Sequence, residues 1–592
     1  MATMLLAPTI KVGGAELDDT WQRALLEVRV ELAFQVPNRV TLRFFDPGYT
    51  LLKKNKVHLA TPVVVAIPGQ GDVVAAEVTG LSVEQLPGEQ PELVVVAHDK
   101  SHRLGRATKV ATYQSMTYSA IVEDLARKAG LTPKATSTGR KLDYVLQIES
   151  DLALLTELAN RVGFDWWVDP DGNLLFQPPK PSSSPLTLQF GDDLHSFSVR
   201  ATGHRPDSVK VVGWDRTKQT QVESSPVQAS SANVKPSSTF ADLVKNPGSS
   251  FGGSAELVSA GLAAGSADEA KELSTALLDR AVAGAVTAKG VANGNAKITP
   301  GASVKIEGFG PLDGTYHVTE ADHVFRPTLG LQTRFTCGDR VPTTLVDTLN
   351  GNGHKSMVGT IDHAALVVGE VTSINDPDKR GRVRVRFSGL SSKDESAWAR
   401  LVAVGGGKQR GMVFIPEVGD EVLVGFENGD VRQPVVLGGL FGDKSAIPTW
   451  DVKDGKVSAR RLTSRKGHYV ELSDGEQPTE QHILMMLQGN QHKLRLGKDR
   501  FDLTLPRGKP GAIKIGEASI TVADNGDMTI EAPNITLKAK LKVSVEASTI
   551  ELKANAQLSA SASGKAELKG ATVAIEGQSL TTVKGNAGVQ IN

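Results

Sequence analysis

The chain has 592 residues in which 66 lysines and arginines balance 66 aspartates and glutamates, with 59 glycines, one cysteine and 5% aromatic side chains. At about 100–200 residues per domain there is room for three to five domains, and the even charge excludes a global basic field that would recruit nucleic acid. The lone Cys337 excludes an intrachain disulfide framework and reads as a small buried hydrophobe. The opening MATMLLAPTIKVGG lacks a basic start and a sustained apolar core, and no run reaches about 18 apolar residues, so a chain made in the cytoplasm without a signal peptide is expected.

From the N-terminus, LEVRVEL, RVTLRFF, TPVVVAI and ELVVVAH read as strands, by alternation or by β-branched runs. A helix is predicted after Ser150, a favourable N-cap, because Leu155, Leu158, Ala159 and Val162 keep helical spacing until Gly163 ends it. In FDWWVDPDGNLLFQP the turn Asp169-Pro170-Asp171-Gly172 separates two strands, so Trp166 and Trp167 face opposite ways. One in a core and one at an interface is favoured over a carbohydrate platform. Residues 222–254, rich in Ser, Pro, Gly and Ala, read as a long exposed loop. A second helix starts at Ser266, with Glu269 completing a capping box, and runs through DEAKELSTALLDRAVAGAV. The acidic pairs Asp192-Asp193 and Asp268-Glu269 read as solvated or capping groups, and His102, His204 and His323 as core or surface residues rather than ligands. ASVKIEGF and TYHVTEADHVF resume the strands before a linker at 351–365.

Residues 366–445 join VVGEVTSINDPDKRGRVRVRFSGL to ESAWARLVAVGGGKQRGMVFIPEVGDEVLVGFENGDVRQPVVLGGLF. Asn375 to Asp378 is a turn, Arg382–Phe387 and Glu421–Phe426 alternate as strands, and Pro416 with Gly419-Asp420 punctuates the approach to the second. The run Gly405-Gly406-Gly407-Lys408 lacks phosphate-loop spacing and reads as an inter-strand loop. Together with Gly381, Arg382 and Trp398, the pattern resembles the OB-fold domain of the VgrG and phage baseplate-spike family. Upstream, residues 1–350 are similar to the family's hub, which implies two β-barrel-like domains with a few helices. Downstream, LTSRKGHYVELSDGE resembles its neck, spanning 446–519, and VKGNAGVQIN the last rung of its needles. The fold implied is mainly β: paired hub barrels, an OB barrel and a C-terminal intertwined trimeric β-helix.

The needle, 520–592, is also legible without the resemblance. Short segments follow one another with almost no loop, and apolar residues fall on every second position. Ile535, Leu537, Val543 and Val545 share one parity while Lys538, Lys540, Lys542 and Glu546 share the other, as in strands with one buried and one wet face. Parity flips near Pro533 and again near Ser548, after which Ile550, Leu552, Val573 and Ile575 continue the series. Units this short cannot bury a face alone, so copies of the chain, most simply three, are expected to supply the rest.

Departures from the family narrow the expectation. Residues 447–520 are too short for a lysozyme insert, no effector follows the needle, and the last hundred residues contain no histidine for a metal-tipped point. The resemblance then implies a blunt tip at Val589, Gln590, Ile591 and Asn592, closed by a separate PAAR-like cone protein. No cofactor, metal or catalytic motif is recognised. The expected function is a non-enzymatic homotrimeric central spike of a contractile injection system or phage-tail-like particle, delivered to or released outside the cell on firing. Its implied partners are tail tube and baseplate hub proteins, effector cargo and the target cell envelope, with no nucleic acid. The alternative, a trimeric tailspike polysaccharide depolymerase, needs a groove of aromatic side chains, and none occurs after Phe501.

Overall fold

The computed structural model describes residues 6–54, 56–203, 205–215, 218–228, 237–242, 251–259, 264–338, 340, 366–387, 395–448, 451–489 and 491–591. His204, the 351–365 linker and Asn592 lie outside these. The chain forms two compact units, one ending at Ile447 and one starting at Pro448.

In the first unit the strands read from the sequence appear as Leu25–Ala33, Arg39–Phe45, Pro62–Ile67 and Glu92–His98. They join a 14-stranded sheet whose N-terminal and C-terminal parts meet where Gly314–Arg326 pairs antiparallel with Leu25–Ala33. The two parts expected as separate barrels are thus continuous, as one sheet, through this long strand. Its outer face is pinned by Arg29, which donates to both Asp322 carboxylate oxygens at 3.1 and 2.8 Å, while Val30, Leu42, Phe44, Phe197, Val318 and Phe335 fill the inside. Cys337 is buried in this core.

Between the two parts of the sheet lies a helical insert. Asp151–Val162 is capped by Ser150, whose Oγ accepts from Ala153 N at 3.2 Å, and ends at Gly163 with φ 71°. Its apolar side packs with the Tyr118–Ala129 helix around Leu125, Leu155, Trp166 and Phe176. Trp166 is fully buried and donates to Thr156 Oγ1 at 3.1 Å, whereas Trp167 points the other way against Phe34, ring centroids 5.1 Å apart. Packing accounts for both tryptophans. The second helix, Ala267–Ala283, is capped by Ser266 Oγ, which accepts from Glu269 N at 3.2 Å, but the Glu269 carboxylate takes Gly265 N–H at 3.0 Å rather than the Ser266 N–H of a full capping box. The helix stops three residues short of the sequence reading, because Val286 opens a strand. The 222–254 stretch is not a single loop in its described parts: Val227–Gln228 and Ser237–Ser238 are short strands and Thr239–Asp242 a helical turn.

Val367–Ser373, Arg384–Arg386, Arg400–Leu401, Glu421–Phe426 and Pro434–Gly439 form a separate five-stranded sheet. Its core of Val371, Val385, Val422 and Val424 is completed by Tyr144 and Leu146 from a two-stranded hub sheet, Lys141–Gln147 paired with Ala111–Thr117. The OB sheet therefore shares a core with the hub.

The second unit is a pair of antiparallel meanders. Ala459–Thr463, Tyr469–Asp474, Gln481–Met486, Lys493–Gly497 and Phe501–Thr504 make one, and Gly511–Ile515, Ala518–Val522 and Met528–Glu531 the other. In-chain pairing thus runs past Ile520, where the sequence pattern starts the needle. Beyond Glu531 no described residue belongs to a helix or strand, and every side chain from Pro533 to Ile591 is exposed. Alternation provides a face for a strand but no ladder partner, and this chain holds none in register.

Gly163 tests the hub packing directly. A Cβ placed there would sit 2.9 Å from the Cα of Ala276 on the neighbouring helix, at a left-handed φ of 71°. Gly163→Ala is expected to cost about 2–4 kcal/mol, the sum of the lost αL cap and the overpacking, read as a lower denaturation midpoint.

Candidate functional site

The family-motif residues of the OB domain shape turns. Asp376 accepts from the backbone N–H groups of Asp378 and Arg380 at 3.1 and 2.8 Å, while Arg382 donates to both its oxygens at 3.1 and 2.6 Å and to Asp378 at 2.8 Å. The Arg382 guanidinium holds the Asp376 carboxyl well below the usual carboxylate range. Gly381 takes φ 72° to turn the chain back, and Trp398 lies under Arg384, whose guanidinium carbon is 5.0 Å from the ring centroid. Past Pro416, Asp420 accepts from Glu417 N at 2.8 Å, and Gly419, with φ 94°, donates to Val371 O at 2.8 Å. Gly405 to Lys408 lie in an exposed loop, as expected.

The charged groups that matter most were missed in the sequence. Glu269, read as a cap, also lies buried at the seam between hub and OB sheet. It meets Arg140 at 3.2 Å from the hub and Arg432 at 3.2 Å from the OB domain. Arg432 also holds Asp430 at 2.7 Å, Arg161 approaches Asp430 at 4.0 Å, and Arg161 in turn pairs with Glu157 at 3.0 Å. Burial alone would raise the Glu269 carboxyl, but Arg432 and Arg140 more than offset it and hold it at about 2. Only Ser266-x-x-Glu269 was legible, since nothing local says that a capping carboxylate will be covered by a domain some 160 residues later. A cleft of about 1340 Å³ opens beside the seam, walled among others by Gln114, Tyr144, Arg384, Trp398, Arg400 and Phe414.

Histidines serve packing and pairing. His323 is buried against Thr333 Oγ1 at 2.9 Å, and His102 meets Glu77 at 2.7 Å. Among the described residues no group of three or more His, Cys, Asp or Glu could hold a metal ion, and no helix is long and apolar enough to cross a membrane.

The second unit exposes apolar sheet faces. In the first meander Leu462, Val470, Met485, Leu494 and Leu503 stand opposite one another across the five strands, and Leu472, Ile483, Leu496 and Phe501 form the adjoining row. Directly paired residues share a face, so this face is mostly aliphatic, with Phe501 in its outer row and Arg460, Asp474 and Gln481 as its polar members, Arg460 pairing with Asp474 at 2.7 Å. The reverse face carries Arg461, Glu471 and His482, joined by a 3.0 Å His482–Glu471 contact. In the second meander Ile513, Ile520 and Ile530 align across three strands, with Ile515, Val522 and Met528 on the same side. Both apolar faces are largely open to solvent in the single chain. The series continues through Ile535, Leu537, Val543, Val545, Ile550, Leu552, Val573 and Ile575, all exposed, to Val589, Gln590 and Ile591 at the end.

Residues 367–441 match the family described as the type VI secretion system/phage-baseplate injector OB domain. Residues 75–326, less than half of the chain, match the family described as the Alg8 N-terminal domain. The type VI secretion system spike protein VgrG5 of Pseudomonas aeruginosa is 32% identical over 152 residues, which are 23% of this chain and 19% of that protein. VgrG3 of Vibrio cholerae is 34% identical over 117 residues, 19% of this chain and 11% of that protein. The chain thus spans about a fifth or less of the length of these relatives. Among solved structures, a chain of the half-lidded Francisella PdpA–VgrG complex overlays 89% of this chain and 88% of its own at TM-score 0.49 and 9% identity. The E. coli c3393 protein, a type VI secretion component, overlays 73% and 99% at TM-score 0.46 and 16% identity.

The seam has a defined pH response. Burial, then the neighbouring Glu157 carboxylate, pushes the Glu149 carboxyl up to about 7. A raised acid adds stability below its ordinary 4.5 that is lost as the pH rises through about 7; Glu269, depressed to about 2, adds stability above 4.5 that is lost as the pH falls towards 2. Glu149→Gln is expected to raise the denaturation midpoint at pH 8 by about 1 kcal/mol, discounted for partial exposure, and to leave it unchanged at pH 4.5.

Proposed function

We propose that this chain, a VgrG-like protein built on the injector OB domain, is the subunit of a homotrimeric, non-enzymatic central spike that a contractile injection system drives into a target envelope. The observation that carries this function is the pair of exposed, mostly apolar sheet faces in the second unit. Large exposed apolar patches mark interaction sites more often than they occur on free monomers, and here two successive sheets each present one along the same tract. Three copies turning these faces to a common axis would cover them, and in a cyclic arrangement each chain gains a neighbour on both sides with no open lateral edge. That arrangement would also supply ladder partners to residues 532–591, which have none in their own chain.

The work of such a device is mechanical. Sheath contraction would push tube and spike forward, and the needle would concentrate the force on a small area. Stiffness is the property required, and paired, edge-free β structure provides it. The shared hub–OB core supports the same reading, because load applied at the hub would pass into the OB domain without a hinge. At the far end, exposed Val589, Gln590 and Ile591 would offer three strand ends to a PAAR-like cone, with cargo and tube proteins engaged elsewhere on the spike.

Light scattering is expected to give a trimer; a folded monomer or dimer would sink the assignment. Leu496→Asp and Val543→Asp would each bury three unpaired charges, costing several kcal/mol apiece, and are expected to abolish needle assembly, whereas Lys542→Asp on the wet parity is not. Deleting Gly588 to Asn592 is expected to abolish cone binding in a pull-down and leave the trimer intact. Incubation with peptidoglycan or capsular polysaccharide is expected to release no soluble fragments, and reproducible release would restore the depolymerase alternative.

A further inference from the structure

The chain is neutral as a whole, yet its charge is unevenly placed. Residues 532–592 contain seven lysines and four glutamates, with no arginine or aspartate. The excess lies in one place: Lys538, Lys540 and Lys542 follow at alternate positions, and the nearest acids in sequence are Glu531 and Glu546. The lysines farther along are different. Lys553 pairs with Glu551 at 2.5 Å, and Lys565 and Lys569 flank Glu567 at 2.9 and 2.5 Å. No ion pair is formed by Lys538, Lys540 or Lys542 among the described residues, and all three side chains are exposed.

Alternate residues of a strand point the same way about 6.6–6.8 Å apart. Once the trimer makes this tract a strand, neighbouring ammonium groups of the run would lie about 6.6–6.8 Å apart, inside the Debye length of about 10 Å at 0.1 M salt, so their fields would reinforce one another. In the trimer, on which this inference rests, three chains would repeat the run at one height and make a girdle of nine lysines around the needle. An ammonium group binds phosphate as a point charge and needs no fixed angle. A girdle of this kind suits a dense, laterally mobile array of phosphates better than one shaped ligand.

We propose that Lys538, Lys540 and Lys542 form a basic girdle that binds the phosphate headgroups of an anionic phospholipid surface. The apolar residues of the same tract, Leu537, Leu541 and Val543, face the needle axis and take no part. Attraction of this kind amounts to about 1 kcal/mol per lysine near an anionic surface and fades with added salt.

The test is co-sedimentation of the full chain with vesicles of phosphatidylcholine alone or mixed with phosphatidylglycerol, with light scattering on every sample. The expected result is binding to the mixed vesicles only, released by raising the salt. It should fall at least tenfold in Lys538→Gln/Lys540→Gln/Lys542→Gln and change little in Lys553→Gln/Lys565→Gln/Lys569→Gln, which removes the same charge from paired sites. Equal loss in both triple variants, equal binding to neutral vesicles, or no binding by the unaltered trimer would overturn the girdle. Competition by free lipopolysaccharide with no binding to the phospholipid vesicles would also overturn it, by assigning the phosphates to another source. A monomeric unaltered chain would instead overturn the spike assignment, so the two failures are distinguishable.

Discussion

An aliphatic sheet face cannot remain in water at no cost, and from about residue 459 onward this chain offers one such face after another with nothing of its own to cover it. Fully burying a Leu, Ile or Val is worth roughly 1.5–3 kcal/mol relative to leaving it exposed, so in the proposed trimer covering these faces would be the main driving force. The polar parity would then set which side turns inward, and a slip of one residue would send lysines and glutamates to the axis. Assembly and needle folding would be one event, because the conformational entropy of residues 532–591 would be overcome only as the axis fills.

The hub obeys the opposite rule, since it satisfies itself within one chain. Its sheet closes through the pairing of Gly314–Arg326 with Leu25–Ala33, segments nearly three hundred residues apart in sequence. The OB sheet is then fixed to it twice, by Tyr144 and Leu146 entering the OB core and by the Arg432, Asp430, Glu269 and Arg140 network. Buried ion pairs add little net stability against apolar replacements, but removing one partner strands the others. At this seam a different docking angle would leave buried charges without their partners. A domain loaded as in the proposed spike would be well served by that combination.

Local patterns carried much of this molecule. The four N-terminal strands, the two helices capped by Ser150 and Ser266, the divergent tryptophans and the OB strand Glu421–Phe426 all follow from spacing and cap chemistry within about a dozen residues. The Tyr118–Ala129 helix, as long as the first of these, was not read from the sequence. The alternation after Ile535 is equally local, but the structure forms no strand there among the described residues. Tertiary structure decided what each face meets. It made Glu269 an interdomain anchor as well as a helix cap, joined the segments expected as two hub barrels in one sheet, carried the in-chain meander on to Glu531, and left the described residues beyond it outside any strand. The division has a simple cause: periodicity is written in neighbouring residues, whereas a burial partner is a surface that arrives from hundreds of residues away or from another chain.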